Sequence, residues 1–301
     1  MSTILVLGST GMLGSTVAKH LHNQGFKIVE GNRSGKSVVP KTGLYKMDVD
    51  SSNDLEIIVI EQKIDYIVNC IGLIKQLIVE SDPKSVSSAI KINSEFPNKL
   101  ENLASQYSVN VIQIATDCVY SGEKGDYSED DSYSPIDVYG MTKSLGELSC
   151  PSSMILRCSI IGPEISSNNS LLSWFLSRPL NEKIEGYTNH YWNGLTTLHF
   201  ARILEGIISR NLFKSGISHV VPADVKSKND LIKLFAKYFN RPDIEISQAQ
   251  APKAVNRTLI TTKPWQNLEL WQMAGYNVPP TIEQMIAELA SWLANPSGGA
   301  I

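Results

Sequence analysis

The stretch TILVLGSTGMLG, residues 3–14, decides the fold. Thr3 to Leu7 read as a short buried strand. Gly8, Gly11 and Gly14 follow at once, at the mouth of a helix expected over 12–24. Each glycine has a task at such a junction: a tight turn, close backbone approach to a pyrophosphate, and close helix–sheet packing. The helix N-terminus then faces the anion with unpaired N–H groups and its dipole. The spacing is GxxGxxG rather than GxGxxG. Its place between first strand and first helix still reads as nucleotide binding, with Gly8, Thr10, Gly11, Met12, Leu13 and Gly14 as the cradle.

Outward from that turn, short apolar runs alternate with amphipathic stretches. FKIVEG (26–31), LYKMDV (44–49), DYIVNCIG (65–72), NVIQIAT (110–116) and SMILRCSIIG (153–162) read as strands. Helices are expected over 52–63, over 83–107 with Pro97 inside, and over 137–149. The alternation predicts an α/β fold, a Rossmann-type doubly wound parallel sheet. Residues 1–160 form the expected NAD(P)-binding domain, its sheet completed by about 196–236 through GISHVVP (216–222). Residues 161–195 and 237–295 are assigned to a smaller substrate-binding region, and 296–301 to a flexible tail. Within them SNNSLLSWFLSRP (167–179), 196–211, 226–239 and 281–294 read as helices, and GYTNHYWNG (186–194) as an aromatic, polar loop.

The 301 residues carry 42% hydrophobic and 19% charged side chains, which places the chain among globular proteins. A net charge of −3 offers no basic stripe for nucleic acid. No apolar run is long enough for a membrane span. The opening MSTILVLGST lacks a basic leader and reads as a strand, not a signal peptide. Cys70, Cys118, Cys150 and Cys158 lie far apart, without metal or disulfide spacing, so reduced thiols in a cytoplasmic protein are expected and no metal.

The second strand ends VEGNRSGK. Glu30 stands near the place where an acid binds the ribose hydroxyls of NAD, but Asn32, Arg33 and Ser34 follow immediately. An arginine and a serine suit a 2′-phosphate, which favours NADP(H) over NAD(H). Asp48, with Val49 behind it, either accepts from the adenine amine or caps the helix beginning near residue 52.

YGMTK places Tyr139 and Lys143 at i and i+4, on one helix face. An ammonium beside a phenol lowers the phenol's pKa from about 10 towards a working acid/base. Thr116 ends the strand VIQIAT at the carboxyl edge of the sheet, where such folds bind ligands. GSTGMLG, IATDCVYSG and DVYGMTK, in that order, resemble the extended short-chain dehydrogenase/reductase family. Within it, the span ATDCVYSGEKGDYSEDDSYSPIDVYGMTKSLGE looks like the dTDP-4-dehydrorhamnose reductases, which reduce a 4-keto-6-deoxy sugar nucleotide for surface polysaccharide. NCIG, with Cys70, Ile71 and Gly72, and Asn93 match the cofactor-lining strand and active-site asparagine less specifically.

The resemblance implies that Tyr139 gives a proton to the substrate carbonyl oxygen while nicotinamide gives hydride to the carbon. Lys143 would bind the nicotinamide ribose and tune Tyr139, and Thr116 would bond the carbonyl. Asp117, Cys118, Val119 and Tyr120 are expected to line the substrate site. Related 4,6-dehydratases carry glutamate where this chain has Cys118, so dehydration is disfavoured. GDP-fucose synthases place a cysteine at the same offset, which keeps a combined C3/C5 epimerase–reductase using Cys118 and His190 open. A third reading is a non-catalytic cofactor-binding regulator or sensor.

GYTNHYWNG offers His190, Trp192 and Asn193 as sugar or base contacts. Arg157, Arg178 and Arg257 are candidate phosphate contacts or internal pairs. SEDD (128–131) reads as a solvated loop beside the active site. The expected partners are a nucleotide-sugar substrate and, as an open option, a second copy of the chain.

Overall fold

A computed structural model describes residues 2–50, 52–148 and 150–295. The flexible tail expected over 296–301 and the last residue of the helix expected over 137–149 lie outside the described residues. The main sheet is built from β1 (Thr3–Leu7), β2 (Lys27–Asn32), β3 (Gly43–Lys46), β4 (Tyr66–Asn69), β5 (Asn110–Ala115), β6 (Met154–Arg157) and β11 (Gly216–His219). The order is β11-β6-β5-β4-β1-β2-β3, and every pairing is parallel. This is the doubly wound sheet that the alternation predicts.

A parallel sheet is buried on both faces, so its strands are mostly apolar, and the polar side chains they carry, such as Glu30 and Arg157, are buried with them. β1 shows the two-residue period directly. Ile4 and Val6 point into a core with Val17, Leu21, Leu198 and Leu204, while Leu5 and Leu7 point into one with Leu55, Ile58, Phe96 and Leu100. The first core lies under α1 (Met12–Asn23) and α7 (Thr197–Ser209), the second under α2 (Ser52–Gln62) and α4 (Phe96–Tyr107).

The long helix expected over 83–107 is α3 (Pro83–Ile90), a π-helical turn (Lys91–Glu95) and α4. Pro97 stands in the first turn of α4, where its missing N–H costs nothing. α5 (Val138–Leu148) follows β5. The strand expected over 153–162 is split. β6 ends at Arg157, and β7 (Ile160–Ile161) pairs instead with β10 (Leu195–Thr196). Beyond it come α6 (Leu171–Leu176), β8 (Lys183–Tyr187), β9 (His190–Trp192), β12 (Lys226–Ser227), α8 (Lys228–Tyr238), β13 (Glu245–Ala249), β14 (Val255–Asn256), α9 (Pro264–Met273) and α10 (Ile282–Ala294).

GYTNHYWNG is therefore not a loop. It holds the end of β8, paired with β13, and β9, the middle strand between β12 and β14. α9 packs along α7 and reaches β11, so chain from beyond residue 260 returns to the main sheet.

Candidate active site

The glycine turn has the form its sequence requires. Gly8 sits at φ +77°, and its amide donates to the Gly31 carbonyl at 2.7 Å. A β-carbon on Gly14 would collide with the Gly8 carbonyl. α1 can therefore start against the turn only with glycine there. Gly11, the residue before α1, has no side-chain cap, which leaves first-turn amides open to an anion. This cradle fits a dinucleotide pyrophosphate. Gly14→Ala is expected to weaken NADPH binding at least tenfold, about 1.4 kcal/mol, in a fluorescence titration. Unchanged affinity would show that the close approach has no part in binding.

Glu30 is fully buried and faces inward, accepting from Ser37, from Thr42 at 3.0 Å and from the Val38 amide at 3.1 Å. It is not offered to a ribose. Asn32 is buried as well, donating to Ser9 at 2.8 Å and accepting from Ser34 at 2.8 Å, which shapes the turn. Arg33, at its tip, is exposed. Asp48 accepts from the Val49 amide at 2.7 Å and remains exposed.

On the other side of the cradle, Cys70 and Ile71 come so close to Gly8 that a β-carbon there would lie 3.1–3.2 Å from them. Burial pushes the Cys70 thiol up to about 12, so it is a neutral wall. Asn93 is buried in the π-helical turn. It exchanges bonds with Leu73 at 2.9 and 3.0 Å and donates to Thr142 at 3.1 Å, tying the loop after β4 to α5. That loop carries Gly72.

Thr116 follows β5 and caps a short turn, Asp117–Val119. α5 lies directly on this turn because a side chain at Gly140 would strike the Cys118 carbonyl. The close approach sets the Tyr139 phenol beside the Thr116 hydroxyl. Burial raises the Tyr139 phenol above its ordinary pKa, with Cys118 adding to the rise. Lys143 donates to the Ile114 carbonyl at 3.1 Å, and burial lowers its own pKa. The expected lowering of the phenol by Lys143 is not what sets its pKa: the ammonium is turned to the Ile114 carbonyl, and desolvation dominates at Tyr139. The result is a phenol that holds its proton at neutral pH.

Burial, then Asp117, push the Cys118 thiol up to about 12, far from a base. Asp117 accepts from Thr116 at 3.2 Å, and burial raises its carboxyl despite nearby Arg257. Val119 and Tyr120 are fully buried. Tyr120 stacks on Tyr127 at 4.4 Å and accepts from Arg157, so both residues are packing. His190 bonds the Lys253 carbonyl at 3.1 Å. Trp192 lies in the main core. Asn193 is spent on Leu259, donating to its carbonyl at 2.7 Å and accepting from its amide at 2.9 Å. The bonds of His190 and Asn193 tie this segment to residues 253–259, and Trp192 anchors it in the core. Arg178 lies over Trp174.

SEDD is not a solvated loop. Glu129 accepts from the His219 amide at 3.0 Å, Thr261 at 2.6 Å and the Thr262 amide at 2.9 Å. Burial opposes its charge, but these bonds hold its carboxyl below the usual range.

A family model described as RmlD substrate binding domain matches residues 1–264. The chain belongs to the RmlD substrate binding domain family. That places it among the extended short-chain dehydrogenases/reductases of dTDP-4-dehydrorhamnose reductase type, the oxidoreductase class that the three motifs resemble. The dTDP-4-dehydrorhamnose reductase of Aggregatibacter actinomycetemcomitans is 27% identical over 73% of each chain. Methionine adenosyltransferase 2 subunit beta of Danio rerio is 25% identical over 92% of this chain and 87% of that one. The chain spans about half the length, or less, of most curated relatives that it matches. Among solved structures, the Bacillus anthracis dTDP-4-dehydrorhamnose reductase in complex with NADP superposes with TM-score 0.75 at 18% identity, covering 96% of this chain and 99% of that one.

For an RmlD-family chain, two residues near the site escaped the sequence reading, Lys75 and Lys228. Lys75 pairs with Asp137 at 2.8 Å, and Asp137 also accepts from the Gly140 amide at 2.8 Å, fixing the start of α5. Lys228 opens α8 and faces Asp117 and Cys118. Its one sequence signal is SKND (227–230), a helix-start pattern that the structure realises as a capping box. Arg257, a candidate phosphate contact in the sequence, donates to the Tyr120 carbonyl at 2.9 Å, beside the Asp117–Val119 turn. Among the described residues there is no cluster of metal-ligating side chains and no helix long and apolar enough to cross a membrane.

Proposed function

We propose that the chain reduces the 4-keto group of a nucleotide-linked 4-keto-6-deoxyhexose with NADPH, in making a surface-polysaccharide sugar. The observation that carries this reading is Tyr139 seated against the Thr116–Val119 turn through Gly140, its proton retained by burial, with Lys143 one turn on. Reduction needs an acid at the carbonyl oxygen, and a protonated phenol is one. A bound nicotinamide dinucleotide supplies the hydride. Gly8, Gly11 and Gly14 would hold its pyrophosphate, Arg33 and Ser34 its 2′-phosphate, Asp48 and Val49 its adenine side, and Lys143 its ribose. Thr116 orients the phenol and stabilises charge developing on the oxygen.

The inward-turned Glu30 and exposed Arg33 support NADP(H) over NAD(H). Arg33→Ala is expected to raise the Kd for NADPH about tenfold, about 1.4 kcal/mol, and to leave NADH unchanged. Equal weakening of both in parallel titrations would remove the 2′-phosphate role.

The reduction is tested by NADPH oxidation with a dTDP-linked 4-keto-6-deoxyhexose in deuterated water, with NMR of the product. The expected product carries no deuterium at C3 or C5, because Cys118 keeps its proton and His190 is engaged elsewhere. Deuterium there would make the chain an epimerase–reductase. The likeness to methionine adenosyltransferase 2 subunit beta favours a second reading, a cofactor-binding subunit without turnover. NADPH binding with no oxidation of any keto sugar would establish it.

A further inference from the structure

Lys228 stands where its surroundings oppose a positive charge. It is the first residue of α8, at the helix end whose dipole repels cations. It is largely buried, and burial lowers its pKa, with Arg257 and Lys75 pushing the same way. Asp117 and Cys118 oppose that lowering. Lys228 makes no hydrogen bond or ion pair with any described residue. An unpaired ammonium held against burial, dipole and like charge marks a site that something else completes.

Two short strand pairings place it. Ser227 of β12 and Asn256 of β14 both pair with Tyr191 of β9. Lys228 and Arg257 are the next residues of their segments, so one small sheet delivers both cations to the Asp117 turn. Gly186 admits the start of α8, since a β-carbon there would lie 2.7 Å from the Asn229 α-carbon. Lys75 is paired with Asp137, which leaves two cations, Lys228 and Arg257, acting on the single carboxyl of Asp117. The surplus is positive, beside the acid Tyr139.

We propose that Lys228, assisted by Arg257, binds an anionic oxygen of the substrate and so sets which substrates enter the cleft. The proposal rests on the reading of this cleft as a sugar-nucleotide site. Two sources supply such an oxygen: the diphosphate of the nucleotide or a carboxylate on the sugar.

The test is calorimetry of dTDP, pyrophosphate, thymidine and glucuronate on the full chain with saturating NADPH, which fills the glycine cradle. Wild type is compared with Lys228→Met and Lys228→Arg. The expected result is at least tenfold loss of dTDP and pyrophosphate affinity in Lys228→Met, partial recovery in Lys228→Arg, and unchanged thymidine and NADPH binding. Tm should hold or rise in Lys228→Met, because a buried unpaired charge is removed. Loss confined to glucuronate would assign the oxygen to a sugar carboxylate, still held by Lys228. Affinities for all probes within twofold of wild type, no anion binding to wild type, or a lowered Tm without selective loss would overturn the proposal. Wild-type turnover is measured separately. Anion binding that depends on Lys228 in a chain that oxidises no NADPH would sink the reductase reading alone.

Discussion

Tyr139→Phe is expected to lower kcat by 10²–10⁴-fold while leaving NADPH affinity within about twofold. The substitution removes one oxygen and little volume, so α5 keeps its seat on the Cys118 carbonyl through Gly140. What is lost is the proton. In wild type, burial keeps the phenol protonated, with the Thr116 hydroxyl beside it. In the variant, hydride transfer would place an alkoxide in the cleft with no acid to meet it. The corresponding barrier increase is about 3–5 kcal/mol. Stopped-flow NADPH oxidation separates this from a binding defect. A variant retaining more than a tenth of wild-type kcat would mean that another group supplies the proton.

The largest stability effect is expected at Arg157. This arginine is fully buried at the end of β6. It pairs with Glu147 and donates to Tyr120 at 2.7 Å and Tyr133 at 2.6 Å, and it meets His219 at 2.9 Å. Burial, with the arginine next to it, pushes the His219 imidazole down to about 4, so it stays neutral and accepts. Arg157→Met would leave the Glu147 carboxylate without its counter-charge and take a donor from Tyr120, Tyr133 and His219, although the two phenols still donate to Ser128 and Glu147. Loss of about 3–5 kcal/mol is expected in urea unfolding. Arg157→Met with Glu147→Leu should recover part of it, since no charge remains buried alone. Equal loss in the double variant would shift the cause from the unpaired charge to packing.

The dinucleotide half is legible in the sequence because its signals are local. Strands of four to six apolar residues, glycines at a strand–helix junction and a Tyr-x-x-x-Lys step each report on their own neighbourhood. The second half is not, because its strands are two to five residues long and exist only through distant partners. β9 reads as an aromatic loop until β12 and β14 flank it. SEDD reads as solvent-facing until Thr261 and Thr262 arrive to hold Glu129. Arg157 resembles a phosphate ligand in SMILRCSIIG, and only the fold supplies Glu147, Tyr120, Tyr133 and His219 around it. His190, Trp192 and Asn193 read as ligand contacts, but in the fold they hold β9 in place. Lys228 and Arg257, one residue beyond the strands that flank β9, lie nearer the Asp117 turn.

The strapping of residues 120–131 to residues 255–262 has a kinetic side. Asp126 bonds Thr258, the Tyr127 amide reaches the Thr258 carbonyl, and Glu129 takes Thr261 and Thr262. Each closure spans about 130 positions of sequence, and such loops form late because their entropy is lost before any contact rewards it. The glycine cradle, by contrast, closes within the first third of the chain. The cradle's own turn is therefore made long before the segment that braces the Asp117 turn, although α1 beneath it waits for α7 to cover its apolar face. A nascent chain short of residue 262 lacks the straps that set Tyr120, Arg257 and the Asp117 turn, so competence for chemistry arrives with nearly the last helix.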